Sequence, residues 1–261
     1  MALFVRETGD GGAAPVVLLH GFAGTHAVWR EIQPRLAREV RTLAYDLPGH
    51  GGSFDYPEAG PAKVAAVAIL ADLEARGIDR AHLVGHSMGG AVAALMALLG
   101  PQRIASLTLL APGGFGPQIN HRLLTRWAAA SDEHDIVSCL EGMFGWYSPV
   151  PDDATADIAA DRALPGRVAM LSRIATGLAR DGRQGQLPLD RIAGLAMPVT
   201  IAWGALDNVL PARQTEGLPG RFAVHLFPEL GHMLPEEASD EMLSLISRSA
   251  GVGAEVGSGR W

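Results

Sequence analysis

Ser87 lies in a short segment whose residue types are typical of an enzymatic nucleophile. The segment Gly85-His86-Ser87-Met88-Gly89 follows an apolar run and precedes residues 91–99, which are almost all good helix formers. Glycines on both sides of the serine permit the sharp strand-to-helix turn that exposes a nucleophilic hydroxyl. The pattern predicts a catalytic serine; the alternative is a serine that only caps a helix.

A nucleophilic serine needs a general base, and the base needs a carboxylate that fixes its tautomer. Asp207 follows the apolar run 199–203, and His232 follows the run 222–227. We therefore predict a triad of Ser87, His232 and Asp207, whose chain order Ser, Asp, His accompanies this kind of serine turn. Asp46, directly after the run 40–45, is the competing candidate for the acid.

Two backbone N–H groups are expected to stabilise the negative charge that develops on an attacked carbonyl oxygen. The N–H of Met88, directly after the serine, is one predicted donor of this oxyanion hole. The other is the N–H of Phe22, in the loop His20–Gly24 that follows the apolar run 16–19.

Short apolar runs alternate with helical stretches, which predicts a parallel sheet covered by helices on both faces. The predicted strands are 16–19, 40–45, 82–84, 104–110, 199–203 and 222–227, and the predicted helices are 26–37, 62–76, 88–99, 211–217 and 235–249. Residues 117–187 are helical in composition but broken by prolines, so we predict a helical cap there. The core then consists of residues 1–116 and 188–261, with a frayed tail at 251–259.

The substrate pocket is expected to be apolar, with Phe115, Phe144 and Trp146 in its wall beside Phe22 and Met88. Most arginines of the predicted cap should be solvated, but one or two that face inward would indicate a substrate with a carboxylate. These arginines are Arg122, Arg126, Arg162, Arg167, Arg173, Arg180 and Arg183.

Composition excludes several classes of protein. The 261 residues carry a formal net charge of −7 and no basic cluster, so no nucleic-acid partner is expected. A single cysteine, Cys139, excludes an internal disulfide, and the histidine spacing gives no metal site and calls for no cofactor. Without an export signal or an apolar run of roughly 20 residues, we expect a cytoplasmic protein that acts on a small molecule, without a membrane partner and compatible with a homo-oligomer.

The chain resembles an α/β-hydrolase-fold enzyme over nearly its whole length. The segments that carry the resemblance are His20-Gly21-Phe22, Asp46-Leu47-Pro48-Gly49-His50-Gly51, residues 85–90, the loop 203–211 and Gly231-His232. The resemblance implies an α/β-hydrolase fold, with a mostly parallel sheet and an inserted cap. Residues 110–120 are also similar to the hydrolase-like domain of the acetoin dehydrogenase dihydrolipoyl acetyltransferase subunit. The only lysine, Lys63, lies in a predicted helix, so no lysine that carries lipoate is expected.

The sequence thus favours a serine hydrolase of the carboxylesterase type that acts on a small acyl substrate through an acyl-enzyme. The same triad supports hydrolysis of a carbon–carbon bond next to a carbonyl, or acyl transfer to an alcohol or thiol. A non-catalytic ligand-binding protein on this scaffold is a further alternative.

Overall fold

The computed structural model describes residues 2–12 and 14–252. Its strands are β1 (Val5–Thr8), β2 (Val16–Leu19), β3 (Thr42–Tyr45), β4 (Ala81–His86), β5 (Ile104–Leu110), β6 (Val199–Gly204) and β7 (Ala223–Phe227). They form one sheet in the order β1-β3-β2-β4-β5-β6-β7. β1 runs antiparallel to β3, and all the other pairs are parallel.

Ten α-helices accompany the sheet in the described part of the chain. They are α1 (Gln33–Leu36), α2 (Ala62–Ala75), α3 (Met88–Leu99), α4 (His121–Ala129), α5 (Glu133–Glu141), α6 (Asp152–Arg162), α7 (Arg167–Leu178), α8 (Leu189–Ala193), α9 (Leu234–Glu237) and α10 (Ser239–Ala250). α4 to α7 fall within the predicted cap interval, between β5 and β6. None of these helices is both long and apolar enough to cross a membrane.

The core lies along the central strands. Every residue of β2 and β3 is buried, which explains why β2 is continuously apolar and β3 is apolar apart from Thr42. α3 packs against β2, β4 and β5, and α10 packs against β4, β5 and α1. Because parallel strands end at the same edge of the sheet, the loops after β2, β4, β6 and β7 are brought near one another.

The structure differs from the sequence prediction at several elements. β1 was not expected, because Arg6 and Glu7 interrupt its apolar pattern and β1 is an edge strand. The predicted helix 26–37 is divided into a 3₁₀ turn at His26–Trp29 and the short α1. The helix predicted at 211–217 is only a 3₁₀ turn, Ala212–Thr215.

The C-terminal helical stretch 235–249 is also divided in the structure. Ala238, at φ −146° and ψ 57°, separates α9 from α10 because these dihedral angles are not helical. Gly251 ends α10 in the left-handed conformation, with φ 65°. The rest of the predicted tail, from residue 253, lies outside the described residues.

Candidate active site

Ser87 occupies the sharp turn between β4 and α3. Its φ of 53° and ψ of −115° are unusual for a residue with a Cβ, and its backbone N–H donates a hydrogen bond of 2.9 Å to the Leu110 carbonyl. The neighbouring glycines are required by packing: a Cβ on Gly85 would lie 2.3 Å from the Gly89 oxygen, and one on Gly89 would lie 2.3 Å from the Leu19 oxygen. The local sequence therefore forms the turn that presents the serine.

Asp207 and His232 meet at the same edge of the sheet, on the loops that follow β6 and β7. His232 Nδ1 lies 2.7 Å from Asp207 Oδ2, and both residues are buried. The other carboxylate oxygen, Oδ1, accepts hydrogen bonds of 2.8 Å from the N–H groups of Val209 and Leu210. The carboxylate is therefore fixed by the backbone and holds Nδ1 of the imidazole as the donor, which leaves Nε2 as the acceptor.

Ser87 and His232 line one cavity, so the structure brings all three predicted residues together. No hydrogen bond joins Ser87 to His232 in the described part of the chain. Catalytic hydrogen bonds are often long in unliganded enzymes and tighten when substrate binds.

The two predicted oxyanion donors lie beside the serine. Phe22 and Ser87 line the same cavity, and a Cβ on Gly21 would lie 3.1 Å from Ser87 Cβ. Neither the Phe22 N–H nor the Met88 N–H donates a hydrogen bond to any residue that the structure describes. Both donors are thus free to bind an oxygen atom at the serine.

Two buried histidines hold the loop that carries Phe22. His20 Nε2 accepts from the Leu47 N–H at 2.9 Å, and His50 Nε2 accepts from the Ala23 N–H at 3.1 Å. Burial lowers the pKa of both imidazoles, that of His50 to about 3, so both are neutral near pH 7. Both histidines therefore support the loop that carries Phe22.

Asp46 makes contacts of a different kind from those of Asp207. Its carboxylate accepts from the His26 N–H at 2.6 Å and from the Gly52 N–H at 2.8 Å, and it lies 2.9 Å from His26 Nδ1. Burial by itself would raise the pKa of Asp46, but these hydrogen bonds keep it below its ordinary value. Asp46 therefore joins two loops, and Asp207 is the carboxylate that contacts His232.

His86 contacts the predicted base, His232, through a hydrogen bond and through its ring. Its Nε2 donates a hydrogen bond of 2.8 Å to the carbonyl oxygen of His232, and the two rings lie 5.0 Å apart. Burial lowers the pKa of His86 to about 3, so this ring stays neutral. His86 is therefore a packing and hydrogen-bonding residue next to the base.

Two cavities meet at Ser87. The first, which we call the cap cavity, has a volume of about 150 Å³ and is walled partly by α6. The second, which we call the apolar cavity, has a volume of about 280 Å³ and includes Met88, Leu178 and Leu187. Phe22, Ser87 and Leu124 line both. Both volumes are small for ligand pockets, so the site suits a small substrate whose reacting carbonyl lies where the cavities join.

The three aromatic residues predicted for the pocket wall lie outside both cavities. Phe115 is buried against Trp203 and Phe222, with ring centroids 6.2 and 6.5 Å away. Phe144 is also buried, whereas Trp146 is 80% exposed. The prediction was wrong because apolar character favours burial without specifying which neighbour a side chain packs against.

One of the seven cap arginines faces the active site. Arg162, at the end of α6, lines the cap cavity, is 4% exposed, and lies 4.0 Å above the Trp127 ring. Its Nη1 donates to the carbonyls of Trp127 and Ala130, while Nη2 is buried without a partner among the described residues. Burial lowers the pKa of Arg162 to about 10, which leaves it charged at pH 7.

Glu236 is a further group in the cap cavity, and the sequence analysis missed it. Burial raises the pKa of this carboxyl to about 8, and its Oε2 has no partner in the described part of the chain. Its sequence neighbourhood, Leu234-Pro235-Glu236-Glu237, resembles an ordinary exposed helix start. Only the position of α9 directly after His232 could have indicated that an acid here turns inward.

The raised pKa of Glu236 predicts a loss of stability at alkaline pH. The unfolded chain releases this proton near pH 4.5 and the folded chain near pH 8, so the folded state binds more protons between these values and stability falls as pH rises. The free energy of unfolding of Glu236→Gln, measured in urea, should therefore exceed that of wild type by an amount that grows from pH 5 to pH 9. The difference should reach at most about 3–5 kcal/mol.

Glu241, an exposed acid on α10, provides the matched control. The Glu241→Gln variant should follow the wild-type dependence of unfolding free energy on pH. If the unfolding free energy of Glu236→Gln also had the same dependence on pH as that of wild type from pH 5 to 9, the raised pKa of Glu236 would be wrong.

Comparison with known proteins identifies the family. Residues 16–245 match the sequence profile of the alpha/beta hydrolase family, and the chain belongs to that family. This result confirms the resemblance seen in the sequence and the predicted fold class.

Relatives of two kinds are similar to the chain. A dihydrolipoyllysine-residue acetyltransferase component of an acetoin cleaving system, from Pseudomonas putida, is 36% identical over 90% of this chain, which spans 63% of that protein's length. A 2-hydroxy-6-oxononadienedioate/2-hydroxy-6-oxononatrienedioate hydrolase from Cupriavidus pinatubonensis is 28% identical over 87% of this chain and 83% of its own length.

Solved structures share the fold. A meta-cleavage product hydrolase from Pseudomonas fluorescens superimposes with a TM-score of 0.82 at 24% identity, covering 95% of this chain and 94% of that one. At this identity the likeness extends to the fold alone, so the chemistry has to be argued from the residues of this chain.

Proposed function

We propose that this protein is a serine hydrolase that cleaves an ester of a small acyl substrate. The observation that carries the proposal is the buried Asp207–His232 pair, whose histidine lines the same cavity as a serine held on a strained strand-to-helix turn. A serine with a strained backbone, next to a histidine that is paired with a carboxylate, is typical of a catalytic nucleophile.

The geometry supports a reaction through an acyl-enzyme. Ser87 Oγ attacks the ester carbonyl while His232 Nε2 takes the hydroxyl proton, and the oxyanion accepts from the N–H groups of Phe22 and Met88. Collapse of the tetrahedral intermediate breaks the ester bond, and His232 gives its proton to the leaving alcohol. Water then attacks the acyl-enzyme with His232 again as base, releases the acid and restores Ser87.

The cavities support a small substrate with an apolar part. The apolar cavity is lined mainly by aliphatic side chains, so it suits a short hydrocarbon group. The walls of the cap cavity carry ionisable groups, among them Asp157, Asp161, Arg162 and Glu236. A substrate with one apolar and one polar end therefore matches the site.

Hydrolysis of a carbon–carbon bond is the second candidate, and Arg162 is the observation that favours it. An inward-facing guanidinium can hold a substrate carboxylate, and the relative from Cupriavidus pinatubonensis is named for a dioate substrate. Acyl transfer is the third candidate, since the Pseudomonas putida relative is named as an acetyltransferase component.

Two measurements test the proposal. Treatment with a fluorophosphonate followed by peptide mass spectrometry should give an adduct on Ser87, and an inert Ser87 would favour the non-catalytic alternative. A screen of p-nitrophenyl esters of increasing acyl length against 2-hydroxy-6-oxo-dienoates should then show turnover of short esters. Exclusive turnover of the dienoates, or acylated thiol as the main product when a thiol acceptor is added, would replace ester hydrolysis by one of the other reactions.

A further inference from the structure

The segment Gly142–Gly145, which we call the brace segment, lies directly after α5 and contacts both loops of the acid–base pair. The Gly142 carbonyl accepts a hydrogen bond of 3.2 Å from Asn208 Nδ2, in the loop of Asp207. The Met143 carbonyl accepts one of 2.7 Å from the backbone N–H of His232. One short segment from the helical insertion is therefore bonded to the neighbour of the acid and to the base itself.

Glu237, the last residue of α9, completes this arrangement. Its Oε2 accepts from the Gly145 N–H at 2.7 Å and from the Gly231 N–H at 2.9 Å, and its Oε1 accepts from the Met233 N–H at 2.9 Å. One carboxylate thus binds the residues on both sides of His232 and the end of the brace segment. Charge-assisted hydrogen bonds of this kind are about twice as strong as neutral ones.

Glycines allow the two backbones to approach closely. A Cβ on Gly231 would lie 2.4 Å from the Met143 oxygen, and one on Gly145 would lie 3.1 Å from the Gly231 nitrogen. The loop of His232 and the brace segment are therefore in direct main-chain contact, which only residues without a side chain permit.

From these contacts, and resting on the proposed function, we propose that Glu237 is a positioning residue that sets the orientation of the His232 imidazole, both through its direct bonds to Gly231 and Met233 and through the brace segment. Asp207 holds Nδ1 of the ring, but a single hydrogen bond leaves the ring free to move with its loop. Glu237 fixes that loop on both sides of His232, so Nε2 can remain between Ser87 and the leaving group. Misplacement of about 1 Å in such a geometry can cost roughly 10²-fold in rate.

The test compares substitutions at Glu237 with wild type, using a p-nitrophenyl ester. Glu237→Gln keeps one oxygen acceptor but places an NH₂ group against an N–H donor, so kcat should fall about tenfold; Glu237→Ala removes all three bonds, so kcat should fall up to about 10²-fold. KM should stay within about twofold of wild type, because Glu237 does not line either cavity.

The rate of fluorophosphonate labelling of Ser87 separates a positioning role of Glu237 from a purely structural one. It is measured under conditions where circular dichroism shows that each variant is fully folded. A positioning role predicts slower labelling in proportion to kcat. Glu229→Gln, which removes an exposed charge from the same loop, should label at the wild-type rate. A lower melting temperature with wild-type kcat and labelling would overturn the proposal, while labelled Ser87 would still support the proposed function.

Asn208→Ala provides a test that does not depend on the folding of the Glu237 variants. Asn208 is exposed, and its side chain supplies the other bond to the brace segment. A fall in kcat of about two- to fivefold at constant KM is expected from the loss of one neutral hydrogen bond. Wild-type kcat in this variant would contradict the proposed contribution of the brace segment to the position of His232.

Discussion

Replacing Ser87 by alanine is expected to reduce kcat for a p-nitrophenyl ester by about 10⁴–10⁶-fold, because removal of the nucleophile leaves only binding and the oxyanion hole. The measurement is the steady-state rate at saturating substrate for protein purified in parallel with wild type. KM and the melting temperature should change little, since Ser87 Oγ holds no hydrogen bond with another described residue.

Ser172, an exposed serine on α7, offers a matched control for the effect of a serine-to-alanine substitution elsewhere in the protein. The Ser172→Ala variant should retain wild-type kcat. Turnover by Ser87→Ala within about tenfold of wild type would exclude Ser87 as the nucleophile and with it the acyl-enzyme mechanism.

Asp207→Asn is expected to lower kcat by about 10²–10⁴-fold while preserving the fold. The asparagine oxygen can still accept from Val209 and Leu210, so the loop keeps its backbone hydrogen bonds. Its NH₂ group then faces His232 Nδ1, which has to become the acceptor, and the ring proton moves to Nε2. A protonated Nε2 cannot take the proton of Ser87, so the loss should appear in kcat.

The corresponding change at Asp46 distinguishes the two candidate acids. In Asp46→Asn, the amide would face one of the N–H donors at His26 or Gly52, so the melting temperature should fall. The kcat of the folded variant should stay within about tenfold of wild type. A larger loss of kcat in Asp46→Asn than in Asp207→Asn would reverse the assignment of the acid.

Local chemistry explains why the sequence predicted the central part of the molecule well. β2 and β3 are buried on both faces, so each appears in the sequence as a mainly apolar run that is too short for a buried helix. α3 was predicted with its observed limits, 88–99, because the turn at Ser87 fixes where the helix begins. Asp207 and His232 could be placed near Ser87 because parallel strands end at one edge.

Packing across the insertion could not be predicted in the same way. Phe144 and Trp146 are close in sequence, yet one is buried and the other faces solvent, since the loop after α5 reverses its exposure within two residues. Glu237 escaped notice because its partners are backbone N–H groups, which leave no residue pattern to search for. Arg162 is buried because its guanidinium lies over the Trp127 ring, a contact that no sequence pattern indicates.

The dihedral angles of Ser87 have a consequence for how the protein can evolve. A non-glycine residue held in such a conformation costs about 1–3 kcal/mol, which the surrounding contacts have to offset. Glycine at position 87 would relieve this cost, less about 0.5–1 kcal/mol for its greater freedom in the unfolded chain. A lineage that no longer needed a serine at this turn could therefore gain stability by replacing it with glycine.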